Sequence, residues 1–199
     1  MELRELVGFH IEGYVKMYDP INGEVYFDGR NAIHYENFSI AMANSVANNG
    51  SGAIYQLAFG NGGTMVDPTG VIIYLTPNTT GTNAGLYNQT YIKIVDDRSS
   101  RNPDPTRNYM ETRHVTGTNY TDVFITCLLD FGEPYGQSAF DNAINNNDSF
   151  VYDEIGLVAA GSGALLTHLI FHPINKALNR LIQIDYTVRI HSLTGLVGV

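Results

Sequence analysis

The sequence is poor in cysteine, tryptophan and charge. Its 199 residues include one cysteine, Cys127, and no tryptophan. A single cysteine excludes a disulfide framework within one chain and any cysteine-rich zinc site. Lys and Arg number 11 against 20 Asp and Glu, a net charge of −9. Neutralising the phosphates of a duplex needs a basic face, so no specific nucleic-acid partner is expected. No run approaches the ~18 apolar residues that span a bilayer, so no membrane partner is expected. Met1-Glu2-Leu3-Arg4-Glu5 is too charged to open a secretory leader. The chain reads as made in a cytoplasm, without disulfides. Charged residues are only 16% of the total, so Asn, Thr, Ser, Gly and Tyr must cover much of the surface. Asn alone occurs 19 times and suits turns and uncharged contacts. With so much Asn and Thr, the sequons at Asn37, Asn78, Asn88, Asn119 and Asn147 read as chance.

The hydropathy pattern is mostly of period two. From Phe9 to Tyr18, Phe9, Ile11, Val15 and Met17 share one face and His10, Glu12, Tyr14, Lys16 and Tyr18 the other. Asp19-Pro20-Ile21-Asn22-Gly23 is turn chemistry, and Glu24–Asp28 returns as a second strand. Residues 1–28 are therefore expected to form an N-terminal hairpin or arm. One helix is expected over about residues 32–48. Tyr35, Phe38, Met42 and Val46 form its apolar stripe, Asn31 its N-cap and Gly50 its stop. Later segments with strand character include 53–59, 71–75, 90–95, 108–115, 120–129, 150–158, 165–171 and 181–190. The last is the clearest: Ile182, Ile184, Tyr186, Val188 and Ile190 alternate with polar residues. The predicted fold is mainly β: one antiparallel β-sandwich domain over 1–199 with one packed helix and long loops. Loops at 77–88, 96–107 and 132–148 are of a length that is usually functional or mobile. Residues 193–199 form a C-terminal tail.

Each chemical motif has a plain structural reading. Gly60-Asn61-Gly62-Gly63 lacks the Lys-Ser/Thr ending and the following helix of a phosphate loop, and reads as a tight turn. His168 and His172 lie four apart on a strand, about 13 Å, too far to share a zinc ion. Each is expected to hydrogen-bond a neighbour. Asp153 and Glu154 are adjacent on a strand and point to opposite faces, so they form no acid–base pair by themselves. Glu154 is expected to face inward and pair with an arginine, Arg180 or Arg189. Cation binding is the sharper alternative, but an ordered acidic loop is missing. Cys127 reads as a small buried hydrophobe and Ser162 lacks a nucleophile-elbow frame. No enzyme, metal or cofactor is expected. Arg98, Arg101, Arg107 and Arg113 are half of the arginines and gather in and after one polar loop. They form either a solvated loop with local ion pairs to Asp96, Asp97 and Asp104, or a docking loop for an acidic partner.

Several phrases resemble one family of tailed-bacteriophage virion structural proteins. They are NAIHYEN at 31–37 with its Ala-rich helix, LAFGNGGT at 57–64, LTPNTTGTN at 75–83 and LYNQTY at 86–91. DEIGL at 153–157, LLTHLIFHP at 165–173 and LIQIDY at 181–186 complete the set. The resemblance covers about residues 9–192. It implies a β-rich assembly protein present in several copies and carries over no catalytic residues. The expected function is that of a virion structural protein, a ring or collar component of the neck or tail. Copies of itself in a ring and other phage neck, tail or baseplate proteins would be its partners. The alternatives are a baseplate or fibre-attachment module that binds a receptor or glycan, and a capsid decoration protein. The arginines named above and the apolar tail residues Leu196, Val197 and Val199 are the interface candidates.

Overall fold

A computed structural model describes residues 3–134 and 149–198. The order is β1 (Leu3–Tyr18), β2 (Val25–Ile33), α1 (Tyr35–Val46), β3 (Ile54–Gly60), β4 (Thr64–Val66) and β5 (Ile72–Tyr74). Then follow β6 (Gln89–Ile94), β7 (Tyr109–His114), β8 (Tyr120–Leu129), β9 (Ser149–Ala159), β10 (Thr167–Ala177) and β11 (Ile182–Gly198). The fold is mainly β, with one helix and a large curled antiparallel sheet. Nine strands run in the order β6-β3-β9-β10-β2-β1-β11-β8-β7, and β4 and β5 form a separate ribbon.

The sheet folds over at its weakest seam. Between β10 and β2 only Thr167↔Ile33 and His168↔Ala32 are paired. One layer is thus β6-β3-β9-β10 and the other β2-β1-β11-β8-β7. Period two supplies the apolar inner faces: Ile11, Val15 and Met17 on β1, and Ile182, Ile184, Tyr186 and Val188 on β11 are buried. Phe59, Tyr152 and Phe171 of one layer meet Met17, Leu129 and Ile184 of the other around a void of only about 10 Å³. The layers are joined by polar contacts as well. The buried Tyr186 hydroxyl donates to Thr167 Oγ1 at 2.6 Å, and Leu157 N donates to the same oxygen at 3.0 Å.

The helix is shorter than its apolar pattern predicts. Asn31 is not its cap but a β2 residue paired with Gly13. His34 caps instead, its Nδ1 accepting from Asn37 N. β2 continues to Ile33 because its end pairs with β10, so the helix begins later. Phe38 and Ala41 are buried, but Tyr35 and Val46, expected in the apolar stripe, are exposed. The second strand likewise runs past the expected 24–28.

Buried charge sits where the segment after β8 meets β6 and β10. Lys93 donates to both oxygens of Glu133 at 2.8 Å, and Lys176 donates to the carbonyls of Asp130, Glu133 and Ala177. Burial brings the Lys176 ammonium down from 10.5 to about 8. Between these values the unfolded chain holds a proton that the folded chain has released, so this group makes stability rise with pH. Lys176→Met is expected to flatten that rise. Urea midpoints of both proteins at pH 7.5 and 9.5 check it.

Candidate functional site

A second buried polar cluster is a clamp on loops. Glu154 is fully buried on β9. Its Oε1 accepts from Gly62 N and Asn88 N, and its Oε2 from Tyr87 N. His168, also fully buried, lies 3.0 Å from Oε2 through Nε2. Its Nδ1 accepts from Asn78 N at 2.8 Å, so Nε2 carries the proton and donates to the carboxylate. Asp153 accepts from Gly63 N, Thr64 N and the Thr64 hydroxyl. His34 adds a fourth point, its Nε2 2.9 Å from the Gly81 carbonyl. Burial pushes the Asp153 carboxyl up. Burial also acts against ionised Glu154, but the His168 and amide bonds outweigh it and hold that carboxyl below its ordinary value.

This geometry corrects one expectation. Glu154 pairs with neither Arg180 nor Arg189. Arg180 binds Tyr26 and Glu24, and Arg189 makes two bonds to Asp122 at 2.7 and 2.8 Å. The 77–88 loop is held at Asn78, Gly81, Tyr87 and Asn88 by buried side chains. A turn rich in Asn and Thr reads as free only because its partners lie far away in sequence. His172 bonds the Tyr74 hydroxyl at 3.1 Å and does not join His168. Among the described residues, no group of three or more His, Cys, Asp or Glu is placed to hold a metal ion. Cys127 is buried and its thiol is pushed up to about 12. Ser162 sits in the β9–β10 turn, accepting from Ala164 N.

The four arginines do not form one patch. Arg98 and Arg101 are exposed and enter no ion pair among the described residues. Arg107 bridges Asp104 and Asp130, and the Thr106 hydroxyl and Arg107 hold the Asp104 carboxyl down at about 2. Arg113 lies on β7, paired with Glu111 and stacked 3.6 Å over Phe124. Similar stacks, Arg189 on Tyr120 and Arg30 on Tyr14, pave the outer face of the same layer. That face is broad, mixed in charge and rich in aromatic residues, a composition common at contact surfaces.

Two further surfaces are left open. A groove of about 530 Å³ lies between α1 and the edge of β7, with Phe38, Met42, Ile54, Met110, Val123 and Ile190 in its wall. Asp96, Asp97 and Arg98 also line it, so the start of the 96–107 loop belongs to the groove. The second surface is made by the two ends of the chain. The expected C-terminal tail is the end of β11. Leu196 pairs with Glu5 and Val197 with Arg4, while Val199 lies outside the described residues. β2 pairs with β1 only from Gly13 onward, and β8 pairs with β11 only as far as His191. Leu3–Gly8 and Leu193–Gly198 therefore form a two-stranded ribbon beyond the sheet, roughly 20 Å long. Its outer backbone edges pair with no other strand among the described residues. No protein-family model matches the chain, and no curated protein or solved structure matches it.

Proposed function

We propose that this chain is a non-enzymatic virion structural protein of a tailed bacteriophage. It acts in several copies as a ring or collar component of the neck or tail. Self-association and docking on unlike virion proteins are its activity. The observation that carries the reading is the terminal ribbon. A two-stranded ribbon alone in water is marginally stable, and free strand edges are templates for pairing. The two ends, LRELVG at 3–8 and LTGLVG at 193–198, are rich in apolar residues, a composition suited to such a contact. The resemblance of residues 9–192 to phage virion proteins supports the same reading.

The mass of the purified chain, alone and with extracted virion parts, tests it by light scattering. A closed ring, or a monomer that joins only a neck or tail subassembly, is expected. A chain ended at Ser192 is expected to lose that association while keeping its circular dichroism spectrum. Unchanged assembly of the shortened chain would remove the ribbon from the account.

One observation favours the receptor- or glycan-binding alternative. Tyr74 and Tyr87 are both about half exposed and are tied to the neighbouring β10 through His172 and His168. Exposed tyrosine rings can stack on sugars. Retention of a host-surface glycan by a chain that ignores virion parts would select that alternative.

A further inference from the structure

The groove between α1 and β7 joins two features at one place. The first is a free strand edge. β7 is the last of the nine strands, and its outer edge pairs with no other strand among the described residues. Four of its six residues, Glu111 to His114, are exposed. Met110 and Thr112 point to one side of the strand and Glu111 to the other. All three line the groove, so the groove reaches the strand at its edge. An unpaired edge is a template for another chain. Across the gap, α1 lines the groove from Phe38 to Val46, about 12 Å, the length of roughly four extended residues.

The second feature is an acidic rim on an apolar wall, where Val46 is 88% exposed. Asp96, Asp97 and Glu111 line the groove against one guanidinium, Arg98. Glu111 is paired with Arg113, and Asp96 Oδ1 accepts from Arg98 N. With both arginines counted, one carboxylate is in excess. The Asp97 side chain is exposed and makes no hydrogen bond or ion pair among the described residues. The rim therefore favours a cation. The chain itself carries a net charge of −9, so an unlike protein supplies that cation better than a second copy does.

We infer that an extended segment of an unlike protein, apolar at alternate positions and carrying a Lys or Arg, docks in this groove as an added strand on β7. Its main chain bonds the free edge of β7, which supplies affinity without regard to sequence. Its apolar side chains enter the groove on the side of Met110 and Thr112, and its cation meets Asp97. The charge contact at the rim sets orientation and the apolar centre supplies affinity. As a virion contact it rests on the docking half of the proposed function and gives that half a surface.

Fluorescence anisotropy of a labelled peptide on the full chain tests it. The peptide alternates valine with threonine between two terminal lysines. It is expected to bind, and the same peptide with terminal glutamates is not. Val46→Glu is expected to abolish binding, and Asp97→Lys to weaken it about tenfold at low salt. Both side chains are exposed, so circular dichroism should stay unchanged. N-methylation of every second peptide amide should remove binding in one phase of the alternation and not in the other, because an added strand donates only alternate N–H groups to its neighbour. Absence of binding, binding that neither substitution changes, or binding by both methylated peptides overturns the inference. An alkylammonium ion that displaces the peptide and binds more tightly overturns it in favour of a small-ligand pocket. Loss of self-association in Val46→Glu without peptide binding makes a second copy the occupant and also overturns it. A chain that joins a neck or tail subassembly but binds no peptide loses this contact and keeps the proposed function. A chain that binds the peptide and ignores virion parts supports the contact and loses that function.

Discussion

Replacing Glu154 by Gln is expected to destabilise the fold by about 3 kcal/mol. The side chains are nearly the same size, so no cavity opens. What changes is the hydrogen-bond inventory. The carboxylate accepts three backbone N–H groups and the His168 ring N–H, all at a fully buried site. An amide accepts on one oxygen only and turns an NH₂ group toward donors. Each buried donor left unpaired costs about 1–3 kcal/mol, which sets the scale. At roughly 2–4 °C per kcal/mol for a chain of this length, Tm is expected to fall by about 10 °C. The loops it holds, 61–64 and 77–88, should become the first sites of proteolysis.

The same substitution has a pH signature. The folded Glu154 carboxyl titrates below its ordinary value of 4.5. Its stabilisation is therefore complete above that value and is lost as pH falls through the folded pKa. Asp153 is shifted upward chiefly by burial and acts with the opposite sign; the Glu154 charge adds to that shift, and Glu154→Gln removes only this smaller addition. The difference in stability between wild type and Glu154→Gln is thus expected to shrink steadily below pH 4.5. Urea midpoints between pH 3 and 7 check this. A difference that stays constant across the range would mean that the carboxylate charge contributes nothing.

Gly156→Ala is the second large effect. A Cβ at this position would lie 2.4 Å from the Thr167 carbonyl oxygen and 2.6 Å from Leu165 Cδ1. The first of these is backbone and cannot rotate away. Around it, Leu166 N bonds the Leu157 carbonyl and Leu157 N bonds Thr167 Oγ1. One methyl group must therefore push β9 and the start of β10 apart where the two layers are pinned together through Tyr186. Overpacking of this kind costs about 1–3 kcal/mol, and the upper end is expected here because strand pairing yields as well. Tm should fall by roughly 6–10 °C on the same scale. Gly8→Ala serves as the control, since its Cβ meets nothing within 4 Å.

The strands and their inward faces were legible in the residues. Alternation needs only local information, because successive side chains on a strand point to opposite sides. It placed Ile11, Val15 and Met17 inside on β1, and Ile182 through Val188 inside on β11. The quiet roles of Cys127 and of the two histidines were legible too, because strand spacing keeps His168 and His172 apart. The cap was not. An imidazole serves as well as Asn when its ring is held by a distant carbonyl, here Gly81, 47 residues from His34.

The partners of Glu154 were illegible for a related reason. Backbone amides have no letter in the sequence, so a search for a buried carboxylate's partner turns to arginine and misses Gly62, Tyr87 and Asn88. The place of the tail was illegible as well. Residues 193–198 look like a loose end until the register with Leu3–Gly8 is known.

By itself the sequence determined a mainly β chain with one helix, an acidic and lightly charged surface, and which face of each strand is apolar. These follow from side-chain chemistry and from periods of two and 3.6 residues. Tertiary structure alone decided the strand order, the fold of the sheet at the β10–β2 seam and the clamp on the 77–88 loop. It also decided that the apolar stripe of α1 is only half covered and borders a groove. Contacts between residues far apart in the chain create these features, and no local pattern records them.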